Sequence, residues 1–324
     1  MESDWQHKFQ DHKDRLFHLF DAKKFTDCHF VIVDSEQNQI TISAHKIILL
    51  AASPVFERMF YGSMAEKDDP IVITDIQVEV FQSMLKYIYS GCIDIKSVDL
   101  ALQLYYAAKK YLLKQLMEKC IVFLSANLNP QNVCQIFEFS EFFDEPSLKQ
   151  KCSEFISDRT REVLADASFS DIKMSTMVFI LDQDKLNINT ELDLFNALRR
   201  LAIKKELLKD KDPPNTEQNS TQNSSEIDHS INCENEKWLK EAVRRIRFLT
   251  MTPQEFAEGP ARSNLLDKQD IVHIFINLNS PNNVKCSLSE AICSSRICRT
   301  AICAYRGCNQ KCYNGYRYCQ YHYY

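Results

Sequence analysis

Phe25-Thr26-Asp27-Cys28-His29-Phe30-Val31-Ile32-Val33, Ala44-His45-Lys46-Ile47-Ile48-Leu49 and Ser53-Pro54-Val55-Phe56-Glu57-Arg58-Met59-Phe60 decide the fold. Phe30 to Val33 is a short, largely β-branched run. Asp34 to Gln39 is a turn-rich break, and Ile40-Thr41-Ile42-Ser43 alternates apolar with polar. Two such runs about a turn predict a β-hairpin. Ala44 to Ala52 is apolar and reads as a helix. Ser53-Pro54 opens another, with serine as cap and proline at the first helical position. Ile71-Val72-Ile73 is a third short strand. Asp75 to Tyr89 carries Phe81, Met84, Leu85 and Ile88 as a helical stripe, and Ser97 to Ser125 holds two more helices. On the other side, residues 4–24 are polar, with Phe9, Leu16, Phe17 and Phe20 at helical spacing.

From Asn129-Pro130 onward the pattern is helical, with starts at Pro130, Pro146 and Ser175. The run from about 209 to 237 is rich in Asp, Asn, Ser, Thr and Pro and reads as a disordered loop inside a domain. Order resumes at Trp238, and an apolar stripe returns at Ile271, Ile274, Phe275 and Leu278. The last 44 residues differ in kind: they hold seven of the thirteen cysteines and seven of the thirteen tyrosines. They carry six basic residues and one glutamate, a net of +5. Against −5 for the whole chain, this leaves −10 for the rest and marks a separate module.

The 324 residues suggest about two domains, and 45% apolar residues suffice for a sizeable core. With five glycines, no two of them close, there is no phosphate-cradling loop or dinucleotide fingerprint. The acidic balance argues against a chain built chiefly to bind nucleic acid. No apolar signal region opens the sequence and no apolar run reaches membrane-spanning length. The expectation is a soluble, cytoplasmic protein without a membrane partner, the nucleus being the alternative compartment. Its cysteines are then thiols or metal ligands. Cys28, Cys92, Cys120, Cys134 and Cys152 sit among apolar residues and are expected in the core, and no nucleophile and base are placed for catalysis.

The three opening stretches, with Ile71 to Ile76 and Phe81 to Gly91, resemble the BTB/POZ domain in order and spacing over roughly residues 20–125. Leu128-Asn129-Pro130-Gln131-Asn132-Val133-Cys134, Leu148 to Ile156 and Ile246 to Phe256 resemble a BACK domain. The last of these is similar to BTB–BACK proteins that continue into a β-sandwich PHR domain. The 44 remaining residues are too few for that sandwich. The resemblance implies an α+β chain, in which a BTB/POZ domain of a small sheet flanked by helices precedes an all-α BACK domain and a short Cys-rich tail. The expected division is a helix over 1–24, BTB/POZ over 25–125, BACK over 126–280 and the tail over 281–324.

The resemblance also implies roles. BTB domains are interaction modules, commonly homodimers. It places Leu16, Phe17 and Phe20 of the N-terminal stripe at the dimer interface, with Asp27 and Lys46 forming a charged pocket nearby. His45 is read as a structural residue with its hydrogen bonds satisfied rather than as an acid–base group. Met64-Ala65-Glu66 resembles the hydrophobic-x-Glu motif with which BTB substrate adaptors engage cullin-3. There an apolar tip fills a partner pocket and a carboxylate pairs beside it. Residues 128–160 match the segment that extends this contact in the family. In the tail, Cys303-x4-Cys308 and Cys319-x2-His322 can supply three thiolates and one imidazole to one structural zinc. This resembles a small zinc module of some chromatin-complex subunits. Cys293, Cys298 and Cys312 leave other ligand sets open.

The leading expectation is a non-enzymatic adaptor: a BTB-mediated homodimer that binds cullin-3 and brings an unidentified protein substrate to the ligase. The alternatives are a nuclear, chromatin-associated regulator that uses the zinc tail, and an interaction scaffold that never meets a cullin.

Overall fold

In the computed structural model, residues 4–33, 39–63, 65–66, 69–208, 226–279 and 297–298 are described, with 226–235 and 297–298 by backbone alone. The chain divides into two compact units, Met1–Asn127 and Leu128–Tyr324.

The first unit opens with a 3-10 turn, Trp5–Lys8, and α1, His12–Asp21. The N-terminal segment is therefore not one continuous helix. Asp11, in extended conformation, breaks it and caps α1 by accepting from the Lys13 backbone N–H at 3.1 Å. β1 (Cys28–Val33) and β2 (Gln39–Ala44) form the predicted antiparallel hairpin, in register from Cys28 opposite Ala44 to Val33 opposite Gln39. α2 (Lys46–Ala52) and α3 (Pro54–Tyr61) then cross over to β3 (Ile71–Ile73), which pairs parallel to β1. The crossover is what a parallel neighbour requires. It makes β1 the central strand of three, which is why its residues are apolar on both faces.

Phe30 sits at the middle of this sheet, with ring centroids 6.0, 6.5 and 5.1 Å from Phe56, Phe60 and Phe81. α4 (Val78–Ser90), α5 (Val98–Lys110) and α6 (Lys114–Ala126) complete the unit. Gly91 ends α4 at φ +70°, the left-handed geometry that suits glycine, and donates to the Tyr87 carbonyl at 2.7 Å. Ser53 behaves as its sequence predicts. Its Oγ accepts from the Val55 and Phe56 N–H groups, and also donates to the Tyr111 carbonyl at 2.6 Å. One hydroxyl thus caps α3 and ties it to the end of α5.

In the second unit α7 (Val133–Phe142) and α8 (Pro146–Asp158) form a hairpin, followed by α9 (Thr160–Ala165) and α10 (Met174–Asp182). α7 starts three residues after Pro130, because Asn129 and Asn132 close a side-chain-bonded turn first. A two-residue strand β4 (Lys185–Leu186) precedes α11 (Glu191–Lys204). α12 spans Glu226–Arg245, so helix begins twelve residues before Trp238, where composition suggested that order resumes. Asn, Ser and Asp are weak helix formers, yet Ile227 and Ile231 extend at helical spacing the apolar pattern of Trp238, Leu239 and Ala242. Residues 209–225 lie outside the described set.

Then come α13 (Pro253–Glu258), with a Thr252/Glu255 capping box, and α14 (Lys268–Asn279). Phe195, Phe248, Phe256 and Phe275 run edge to face through this core at 6.3, 5.8 and 5.2 Å. Of the tail, only β5 (Ile297–Cys298) is described, paired parallel to β4.

Cys28, Cys120, Cys134 and Cys152 are buried, and burial pushes each thiol up to about 12. Cys92 is exposed, against expectation. It follows the Gly91 cap, where the chain leaves the core, and its carbonyl accepts from Ser90 Oγ at 3.0 Å.

Candidate interaction surfaces

His45 is buried between the hairpin and α4. Its backbone N–H donates to the Tyr89 hydroxyl at 2.8 Å, its Nδ1 meets the same hydroxyl at 2.8 Å, and its Nε2 meets the Lys24 carbonyl at 2.6 Å. A single ring proton, on Nε2, closes the network: Nε2–H donates to Lys24 and Tyr89 O–H donates to Nδ1. Both ring nitrogens are thereby committed, and neither is open for acid–base work, as the sequence reading held. Burial also pushes the Tyr89 hydroxyl well above the ordinary phenol range.

This network fixes the end of α1. Phe20 stacks on Tyr89 at 4.8 Å, and the Lys24 carbonyl lies just beyond. No residue of α1 is buried; Leu16, Phe17 and Phe20 are all half-buried within one chain. An apolar stripe left half in water favours a second covering surface.

Asp27 and Lys46 meet differently from the expected charged pocket. Asp27 Oδ1 accepts from the Lys46 backbone N–H at 2.7 Å, so the carboxylate caps the first turn of α2. The Lys46 ammonium lies over the Phe60 ring, 5.7 Å from its centroid, rather than against the carboxylate. Flanking this pair are two apolar side chains that sequence reasoning passed over: Phe25, 79% exposed, and Ile47, 67% exposed. Phe25 also has φ +60°, uncommon for an aromatic residue. Only this backbone geometry, invisible to composition, marks it out.

The loop after α3 folds back on its own helix. Gly62 N–H donates to the Arg58 carbonyl at 2.9 Å, Ala65 N–H to the Gly62 carbonyl at 3.2 Å and Glu66 N–H to the Met59 carbonyl at 2.9 Å. A Cβ at Gly62 would collide with the Arg58 carbonyl oxygen, so the turn needs glycine. Glu66 is exposed, and Tyr61 at the end of α3 is 67% exposed. Met64 lies outside the described residues, as do Cys303, Cys308, Cys319 and His322. In the second unit Phe142, the last residue of α7, is 77% exposed.

Residues 16–128 match the family model for the BTB/POZ domain, and residues 133–212 match that for the BACK domain, "BTB And C-terminal Kelch". The chain is a BTB/POZ–BACK protein. It is 32% identical over 305 residues to BTB/POZ domain-containing protein 6-A of Danio rerio, covering 92% of this chain and 52% of that protein. It is 33% identical over 273 residues to BTB/POZ domain-containing protein 3 of Homo sapiens, covering 84% of this chain and 48% of that protein. The chain thus spans about half the length of these relatives. The BTB domain of zebrafish PATZ1 is similar at a TM-score of 0.28 and 24% identity, over 35% of this chain and 92% of that one.

A BTB domain is a protein-interaction and homodimerisation module, and the BTB–BACK order is that of an interaction chain. The α+β class holds: a three-stranded sheet among helices, then a helical BACK unit. Among the described residues no helix is long and apolar enough to cross a membrane.

Proposed function

We propose that this chain is a non-enzymatic substrate adaptor of a cullin-3 ubiquitin ligase, working in the cytoplasm as a BTB-mediated homodimer. The observation that carries the reading is the loop after α3. Gly62 and Glu66 bond back to Arg58 and Met59, and Glu66 and Tyr61 are both exposed. Backbone bonds already formed at Gly62, Ala65 and Glu66 lower the ordering cost of binding at those residues, so more of the contact energy appears as affinity. Phe142 supplies an apolar contact within the segment 128–160 that the resemblance assigns to the same partner.

Met64→Ala combined with Glu66→Ala removes both the apolar anchor and its charged neighbour. The expected loss is about 2–4 kcal/mol of cullin affinity, a ~30- to 1,000-fold rise in Kd. The check is a titration of purified cullin-3 N-terminal region against wild-type and variant chains. Unchanged affinity removes the assignment and leaves the fold untouched. Recovery of chromatin subunits without a cullin in a quantitative pull-down favours the nuclear alternative.

The dimer reading draws support from α1 and the Asp27–Lys46 edge, where Leu16, Phe17 and Phe20 are half-buried and Phe25 and Ile47 are exposed. A symmetric pair of such faces covers the stripe that one chain leaves open. Phe25→Glu with Ile47→Glu places like charges on both sides of that interface. The variant is expected to sediment as a monomer at micromolar concentration while wild type sediments as a dimer. A monomeric wild type at that concentration sinks the proposal.

A further inference from the structure

We propose that the groove between α9 and α11 of the BACK unit binds an acidic, aliphatic segment of a partner protein. The groove has a volume of about 540 Å³, within the roughly 300–1,000 Å³ range of binding pockets. Arg161, Arg199 and Arg200 line it, with buried Leu164 and half-buried Ile203 as an apolar floor and Ala165 exposed at the rim.

Arg161 and Arg200 are oriented from the protein side. Arg161 Nη1 donates to Asn189 Oδ1 at 3.0 Å, and Arg200 Nη2 donates to the Leu164 carbonyl. Each bond uses one N–H of a fork that carries five, so it orients the group and leaves donors for a ligand. The single carboxylate of the lining, Asp193, accepts from the Asn189 backbone N–H at 3.0 Å. Nearby acids have their own cations: Glu162 pairs with Arg159 at 3.5 Å and Asp171 with Lys204 at 2.5 Å. Three guanidiniums against the one carboxylate of Asp193 leave the described lining net positive.

The lining selects the occupant. Planar guanidinium forks match carboxylates in two-point geometry. The floor gives an aliphatic side chain of the same peptide a place to leave water. Among the described residues no aromatic side chain lines the groove, so they offer nucleobases no stacking surface. A lone inorganic anion would leave the floor uncovered. The inference goes beyond the adaptor reading, and cullin binding plays no part in its test.

The test is fluorescence anisotropy of the full chain with a labelled peptide, Glu-Leu-Asp-Glu-Leu-Glu, at ~0.15 M salt, where surface charge is screened beyond about 8 Å. The expected result is saturable binding, at least ~10-fold weaker in R161Q/R199Q. Ala165→Glu, which puts a carboxylate on the exposed rim without removing an arginine, should weaken it similarly. It also keeps the test decisive if the double variant melts early. Binding unchanged in both variants overturns the proposal. So does R161K/R199K binding as tightly as wild type, or inorganic phosphate or a thymidine oligonucleotide competing as well as unlabelled peptide.

Discussion

Phe56→Ala is expected to destabilise the BTB unit by about 3–5 kcal/mol, the range for removing a fully buried phenyl ring. Phe56 is fully buried, stacked on Tyr111 at 4.3 Å and on Phe60 at 6.0 Å, with Phe30 edge-on at 6.0 Å. Its neighbours belong to β1, α3 and the end of α5, so no single element can collapse into the space. Partial collapse is what keeps such losses small elsewhere, and here the backbone around the ring is held by Ser53 bonding across to Tyr111. Domains have only about 5–15 kcal/mol in total, so this one change takes a large share.

Calorimetry of the full chain resolves the effect, provided the two units melt as separate transitions. The BTB transition should fall by more than ~10 °C and the BACK transition should stay in place. Tyr61→Ala, one helix position past Phe60 but exposed, should stay within about 0.5 kcal/mol of wild type. A Phe56→Ala loss under ~1 kcal/mol would mean that the ring is not the centre of this core.

How much of this could be read in the chain depends on how local each signal is. The hairpin, the Ser53-Pro54 cap and the helix before Gly91 are written in neighbouring residues, and the structure repeats them. The α12 start was missed because its composition is polar. The helix is supported by a sparse apolar repeat rather than by propensity. The committed state of His45 rests on Tyr89, 44 residues away, and on Lys24, 21 residues away. Sequence could only argue that a histidine in that pattern is bonded to something. Asp27 next to a lysine in space suggests an ion pair, but the nearer demand was the unbonded N–H at the start of α2.

The exposed pair Phe25 and Ile47 was hidden for the opposite reason: apolar residues in a core motif are read as core. The α9–α11 groove was hidden because Arg161 and Arg199 sit on separate helices, each of which alone reads as a solvated face. Interaction surfaces are assembled from several elements, so they are the part of this protein that local pattern reaches last.

The tail carries the largest expected effect of any single substitution. We propose that it binds one zinc through Cys303, Cys308, Cys319 and His322, on their spacing alone. Two pairs of ligands, each close in sequence and with Gly315 between them in the chain, match a closed three-thiolate, one-imidazole site. A stretch of 44 residues has little apolar area to bury besides its tyrosines, so the metal would supply its folding energy, of order ~10 kcal/mol or more. The expected result is one zinc per chain by elemental analysis of the purified protein. The metal should be retained in Cys286→Ser and lost in Cys319→Ser. Acid should release it as the thiolates and the imidazole take up protons. Alkylation mapped by mass spectrometry gives an independent readout. The four ligands should be protected in the zinc form and labelled after chelation, whereas Cys92, exposed and unligated, is labelled in both. Zinc retained in a Cys319→Ser/His322→Ala variant would move the site onto a set drawn from the five-residue repeat Cys293, Cys298, Cys303 and Cys308, with or without Cys312, and end this assignment.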